Sequence, residues 1–315
     1  MTSVTENIAI PERRAGQPQP DAGAARRARA RLADRAVTGV LWGLAIALTA
    51  LLLFFILYTI QQGIGVINWR FITQSNVTGS LDGPEVFNTF YILIFALIIC
   101  VPIGVGCAIY LVEYAKQNIF TTIIRFATET LAGVPSIVLG VFGFLVFVTA
   151  NGTGARFGFS RLAGALTLVI LNLPLLVRVC EDALRSVPPE LREASAALGA
   201  NKFQTVVRVM LPTAIPTLTT GIILTAGKMI GETAALIYTT GSNSPVTGWF
   251  SLDPLLPGDT LTVHLYTLRA EGIVPNAQAI ANGTATLIII ILLVFNVGLR
   301  YFAGALSRRL AGTTR

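Results

Sequence analysis

The chain has 315 residues, of which 53% are hydrophobic and only 12% charged. A water-soluble domain carries about 25% charged residues, so the composition excludes an ordinary soluble protein and implies a polytopic membrane protein. The net charge of +7 would point to nucleic acid in a soluble chain, but the placement of the cations explains it otherwise and no nucleic-acid partner is expected.

Residues 1–36 lack an apolar run and hold Arg13, Arg14, Arg26, Arg27, Arg29, Arg31 and Arg35. This Ala-, Arg- and Pro-rich stretch is expected as a disordered basic tail, retained beside anionic lipid. It is too long and polar for the leading segment of a signal peptide. Six apolar runs follow, at 38–60, 87–112, 130–150, 162–180, 213–240 and 283–304. Each is long enough to cross about 30 Å of hydrocarbon at about 20 residues per span. The expected fold is therefore all-α, with six transmembrane helices. Residues 37–83 carry the first of them and an outer loop, 84–304 the remaining transmembrane domain, and 305–315 a short tail. The fourth run contains Pro174, placed to kink it.

The positive charges set the orientation. With the N-terminal tail inside, 18 of the 23 Lys and Arg fall on the cytoplasmic side, which is the positive-inside pattern. Both termini and the 181–212 loop are then cytoplasmic. The outer loops at 61–86 and 241–282 are long. The second is rich in Gly, Pro, Ser and Thr and holds Trp249, Phe250, Leu255, Leu256 and Tyr266. A passive connection and a surface for a soluble binding protein both fit it. His264 reads as a loop histidine. Cys100, Cys107 and Cys180 lie in or beside apolar runs without metal spacing, so they read as small packing residues.

Residues 188–212 are the longest polar-containing segment between two strongly apolar runs. Leu191, Ala194 and Leu198 share one helical face. Phe203, Val206, Val207 and Met210 recur at helical spacing in a second short helix. Gly199 suits a helix end between them. Pro188 and Pro189 suit a helix start, and Pro212 is expected to stop the second helix.

The fifth span carries two charges. Gly221, Thr225, Lys228, Glu232, Ala235 and Thr239 follow a 4-3-4-3-4 spacing, which on one continuous helix places them within about 40° of a line. Each intramembrane charge costs roughly 2.5–3.5 kcal/mol, so the stripe faces something other than lipid. One reading is a buried Lys228–Glu232 pair that fixes packing, helped by the small residues Gly227 and Gly231. The other is a polar stripe lining a path, in which Lys228 meets an anion. Lysine suits phosphate as a compact charge with three donors.

No G-x-x-x-x-G-K-[ST] phosphate loop occurs, nor a Ser/His/Asp set, and one His cannot build a His-based metal site. The chain is not expected to be an enzyme, and no metal or cofactor is assigned to it.

Two motifs resemble a known family. Glu193-Ala194-Ser195, then Gly199, then Val209-Met210-Leu211-Pro212 resembles the "EAA" loop of ABC-importer permeases. Lys228-Met-Ile-Gly-Glu-Thr-Ala234 resembles the R-A-I-G-E-T-A motif of phosphate-importer permeases. Ala235 to Thr239, Gly133 to Gly140 and Ala108 to Tyr114 look PstA-like. The resemblance covers about residues 84–304 and implies a type I ABC importer permease fold. It also implies a second permease subunit (PstC type), a cytoplasmic ATPase dimer (PstB type) that carries the ATP and Mg, and a phosphate-binding protein (PstS type). The implied coupling residues are Glu193, Ala194, Gly199, Leu211 and Pro212. The implied path residues are Lys228, Glu232, Thr225 and Thr233. The family usually has Arg where this chain has Lys228, which loses the bidentate fork and bears on which oxyanion is carried.

Overall fold

A computed structural model describes residues 22–73, 83–116, 118–149, 157–242, 251–271 and 276–310. These are helical with irregular links, and no strand occurs among them. The chain divides into two units, Met1–Leu57 and Tyr58–Arg315.

The first unit contains most of α1 (Ala22–Gly63). The helix begins 16 residues before the expected span. Residues 22–36, expected as irregular tail, are therefore helical, because Ala and Arg are among the strongest helix formers. Residues 1–21 lie outside the described ones. From Leu32 to Leu57 the large apolar side chains other than Ile56 are exposed, as suits a helix that is apolar all round.

In the second unit, α3 (Gly83–Ile109) and α6 (Arg161–Arg185) make the principal helix pair. Ile92, Leu93, Ala96 and Cys100 of α3 are buried with Leu168, Leu176, Cys180 and Leu184 of α6, with Ala226 and Met229 of α9 (Leu211–Ile230), and with Met210 just before it. Helix α6 continues through Pro174. All three cysteines are free. The last helix, α12 (Ala277–Leu310), packs on α9 and on α11 (Leu261–Glu271). Gly63, in the last turn of α1 and within this unit, meets α12 so closely that a Cβ would strike Asn282 O and Thr286 Oγ1. Thr286 Oγ1 donates to Thr59 O at 2.8 Å beside it.

Among the described residues, five helices are long and apolar enough to span a membrane, and a bent pair makes a sixth candidate. That pair corrects the expected third span. In place of one helix over 130–150, α4 (Ile119–Ala132) meets α5 (Ser136–Gly143), extended by a π turn to Val148, at 102°. Gly133 ends α4, and Pro135 excludes Val134 from the helical region.

The 241–282 loop is also different from a plain connection. Its stretch 251–271 folds back onto the bundle, with Asp259 to His264 buried. Leu261, Leu265 and Leu268 recur at helical spacing in α11, beside the short α2 (Trp69–Thr73) residue Phe71. Trp249 and Phe250 lie outside the described residues.

Candidate functional site

Helix α9 stops at Ile230, with Gly231 as its C-cap. Glu232 and Thr233 form a break, and α10 (Ala234–Ile237) resumes as one turn. The expected stripe is therefore interrupted: Gly221, Thr225 and Lys228 belong to α9, while Ala235 lies in α10 and Glu232 between them. Glycine is about 1 kcal/mol poorer than Ala within a helix, and here both orphaned polar ends of the break find partners. Glu232 O accepts from Thr262 Oγ1 at 2.9 Å. A Glu232 carboxylate oxygen accepts from Ala235 N–H at 3.4 Å, at the start of α10.

Lys228 is exposed on α9 and makes no ion pair or hydrogen bond with a described residue. The expected Lys228–Glu232 pair does not form, because the helix that would have set them one turn apart ends between them. Thr233 is half-buried, its hydroxyl 3.5 Å from Gly231 O. Thr225 is buried, and its hydroxyl hydrogen is committed to Gly221 O at 2.9 Å. Thr239, buried beyond α10, donates to Ala235 O. Lys228, Glu232 and Thr233 thus gather at the break, and Thr225 lies about one turn back along α9. The close approach expected at Gly227 and Gly231 occurs instead at Gly221, where a Cβ would strike Val179 of α6. At Gly227 the Asn296 amide stands 3.7 Å from that position.

The 188–212 segment forms α7 (Pro189–Ala197), a turn, and α8 (Lys202–Thr205). Gly199 takes φ +79°, the left-handed conformation that glycine adopts at low cost. Asn201 and Gln204 cap α8 reciprocally, with both side chain to backbone bonds at 2.9 Å. The Ser195 and Thr205 hydroxyls pair at 2.9 Å across the turn. The second helix does not stop at Pro212. A wider π turn over Val206–Met210 leads directly into α9, and its shifted register accommodates the N–H that Pro212 lacks. Its apolar positions are divided: Val206 and Met210 are buried, while Phe203 and Val207 are exposed.

Three contacts fix this loop to a π turn that ends α3 at Tyr110–Tyr114. Arg192 Nη1 meets Glu113 Oε1 at 2.6 Å. Lys202 Nζ donates to Glu113 O at 3.2 Å and stands over the Tyr114 ring. Arg192 Nη2 also donates to Leu184 O at the end of α6. The outer face is left open. Leu198 is 89% exposed and Phe203 67%, and a cavity of about 550 Å³ runs past Leu191, Ala194, Leu198, Gly199 and Arg208. Glu193 and Pro212 are exposed and Leu211 is half-buried. Glu193 forms no ion pair with a described residue.

Two clusters escaped sequence reasoning. His264 is buried in α11 with its Nδ1 3.2 Å from Glu85 Oε1 and 3.5 Å from Asp259 Oδ2. It is therefore no loop histidine. Glu85, Asp259 and His264 are of a type and spacing that could hold a metal ion; the distances are equally those of an ion-paired histidine. Arg161, at the start of α6, is 1% exposed. Its guanidinium lies 5.6 Å from the Phe87 and Tyr91 ring centroids and donates to Ser251 O. The Arg161 backbone N–H donates to Leu256 O at 3.0 Å. The helical spacing of Leu261, Leu265 and Leu268 was the available signal for α11; nothing local pairs Glu85 or Arg161 with a segment far along the chain.

Among known proteins, the family model described as "Binding-protein-dependent transport system inner membrane component" matches residues 100–312. A Bacillus subtilis (strain 168) protein, "Probable ABC transporter permease protein YqgI", is 39% identical over 292 residues, 89% of this chain and 98% of that one. "Phosphate transport system permease protein PstA 2" of Mycobacterium bovis is 33% identical over 252 residues, 79% of this chain and 80% of its own. "Phosphate transport system permease protein PstA" of Haemophilus influenzae is 32% identical over 251 residues, covering 78% and 86% respectively. Among solved structures, a bacterial ABC transporter involved in import of the acidic polysaccharide alginate has a chain that aligns with TM-score 0.60. It is 17% identical, over 89% of this chain and 99% of that one, so it shares the fold.

Proposed function

Because the chain belongs to the binding-protein-dependent transport-system inner-membrane components, the permeases of ABC importers, we propose that it is the PstA-type subunit of an ATP-driven inorganic phosphate importer. The observation that carries the substrate is Lys228. It is an exposed cation on a membrane-spanning helix, without a partner among the described residues, just before the break that holds Glu232 and Thr233. An intramembrane charge costs roughly 2.5–3.5 kcal/mol, and an anion in transit offsets it. The relatives named as phosphate permeases support the same substrate.

In this reading both termini and the 188–212 loop face the cytoplasm. The exposed apolar face of α7 and α8 docks on an ATPase dimer, which binds ATP and Mg. Bringing a dianion inward against about −100 mV costs about 4.6 kcal/mol, at about 2.3 per charge, so transport must be driven. A second permease subunit completes the path and supplies a further cation, since Lys228 half-balances a dianion. A phosphate-binding protein docks on the outer side. Closure of the ATPase moves α7, and through the continuous α8–α9 helix the break at Glu232 changes the side to which it opens.

A second reading has a specific observation behind it. Lys228 stands where the phosphate motif usually has Arg, so a permease for sulfate, molybdate or phosphonate is the competitor. Uptake of labelled phosphate into vesicles holding the assembled complex separates the two. Phosphate uptake that needs ATP and resists unlabelled sulfate and molybdate supports phosphate; uptake abolished by either competitor reassigns the substrate.

A further inference from the structure

Thr262 is the second residue of α11, and it reaches across 30 positions of sequence to the break in α9. Its hydroxyl donates to Glu232 O at 2.9 Å. Thr262 Oγ1 also lies 3.0 Å from Thr260 Oγ1. Each hydroxyl has one hydrogen. With that of Thr262 committed to Glu232 O, Thr260 must be the donor of the second bond. Thr260 is fixed in turn, because its Oγ1 accepts Val263 N–H at 3.4 Å and its carbonyl accepts His264 N–H at 2.8 Å. The two hydroxyls form a directed relay from the first turn of α11 to the backbone at Glu232.

The element that offers this donor is itself anchored. Leu261 N–H donates to Thr89 Oγ1 of α3 at 3.0 Å. His264 Nδ1 is held 3.2 Å from Glu85 Oε1 on the same helix. Gly258 N–H reaches Thr240 O at 3.3 Å. Thr260, Thr262 and His264 are all buried. A helix end pinned from one side by a fixed donor has a defined position; a helix end with a free carbonyl does not.

We propose that Thr262 is a positioning residue for the substrate path: it holds the Glu232 break against α11, and so sets where Glu232 and Lys228 stand relative to the passing anion. This rests on the reading of Lys228 and Glu232 as path residues. Thr262 does not touch the substrate.

The test compares Thr262→Val, Thr262→Ser and the unaltered chain in the complete transporter, by ATP-dependent phosphate uptake normalised to complex in the membrane. Valine keeps the branched shape and removes the donor. Serine keeps the donor. The expected result is a fall in maximal rate of about three- to tenfold for Thr262→Val, the equivalent of one neutral hydrogen bond. Half-saturation should be unchanged, and Thr262→Ser should restore the rate. The inference is overturned by a normal rate in Thr262→Val, by a Thr262→Ser as slow as Thr262→Val, or by a loss of rate that merely follows a loss of assembled complex. Absence of phosphate uptake by the unaltered complex would instead refute the functional reading itself.

Discussion

Arg192 of α7 and Glu113 at the end of α3 meet at 2.6 Å, and the same arginine reaches Leu184 O at the end of α6 at 2.7 Å. One side chain thereby joins the exposed loop to the two helices at the centre of the bundle. Charge-assisted bonds are shorter and stronger than neutral ones, and this pair is only partly exposed. Arg192→Gln is expected to leave assembly intact and to lower phosphate uptake per ATP hydrolysed by about three- to tenfold. Paired uptake and hydrolysis assays check this; an unchanged ratio would mean that the contact only supports packing.

Glu193 differs from its neighbour. It is exposed on α7 and makes no ion pair with a described residue, which leaves it accessible for the docking contact proposed above. Glu193→Ala is expected to insert normally and transport poorly. Normal uptake would count against docking through this face.

Gly199 allows backbone strain to be separated from packing. Its φ is +79°, and an added Cβ would meet nothing within 4 Å. Gly199→Val should destabilise through conformation alone, by about 1–2 kcal/mol. Gly199→Asn should cost less, since Asn tolerates the left-handed region. Thermal unfolding of the detergent-solubilised protein gives the order Gly, Asn, Val if conformation controls the turn.

Leu176 is fully buried where α3 and α6 meet, and its side chain fills the space beside Gly104. Leu176→Ala should destabilise by about 2–5 kcal/mol through lost contacts and a cavity. The same unfolding measurement checks it, and a shift no larger than that of Gly199→Asn would contradict this packing.

What was legible in the sequence depended on range. Apolar length located the spans, and Gly199 and Pro189 marked the ends of short helices by local chemistry. The break after Ile230 was not legible, because Gly231-Glu232-Thr233 also fits a continuous helix. What stabilises the break is Thr262, 30 residues away. The bend at Gly133–Pro135 was hidden for a different reason: apolar content on both sides exceeds what one span requires. His264 was misread because its segment folds back onto the bundle, where it meets Glu85, distant along the chain, and Asp259, outside its helix. The Lys228–Glu232 pair failed with the helix that would have aligned it.

The most direct test of the account is ATP-dependent uptake of labelled phosphate by vesicles holding the complete complex, with Lys228→Gln compared against the unaltered chain. Removal of the path cation is expected to lower uptake at least about tenfold, the equivalent of 1.4 kcal/mol in a barrier, while Lys228→Arg retains it. Undiminished uptake by Lys228→Gln would contradict the account and return Lys228 to a role outside the path.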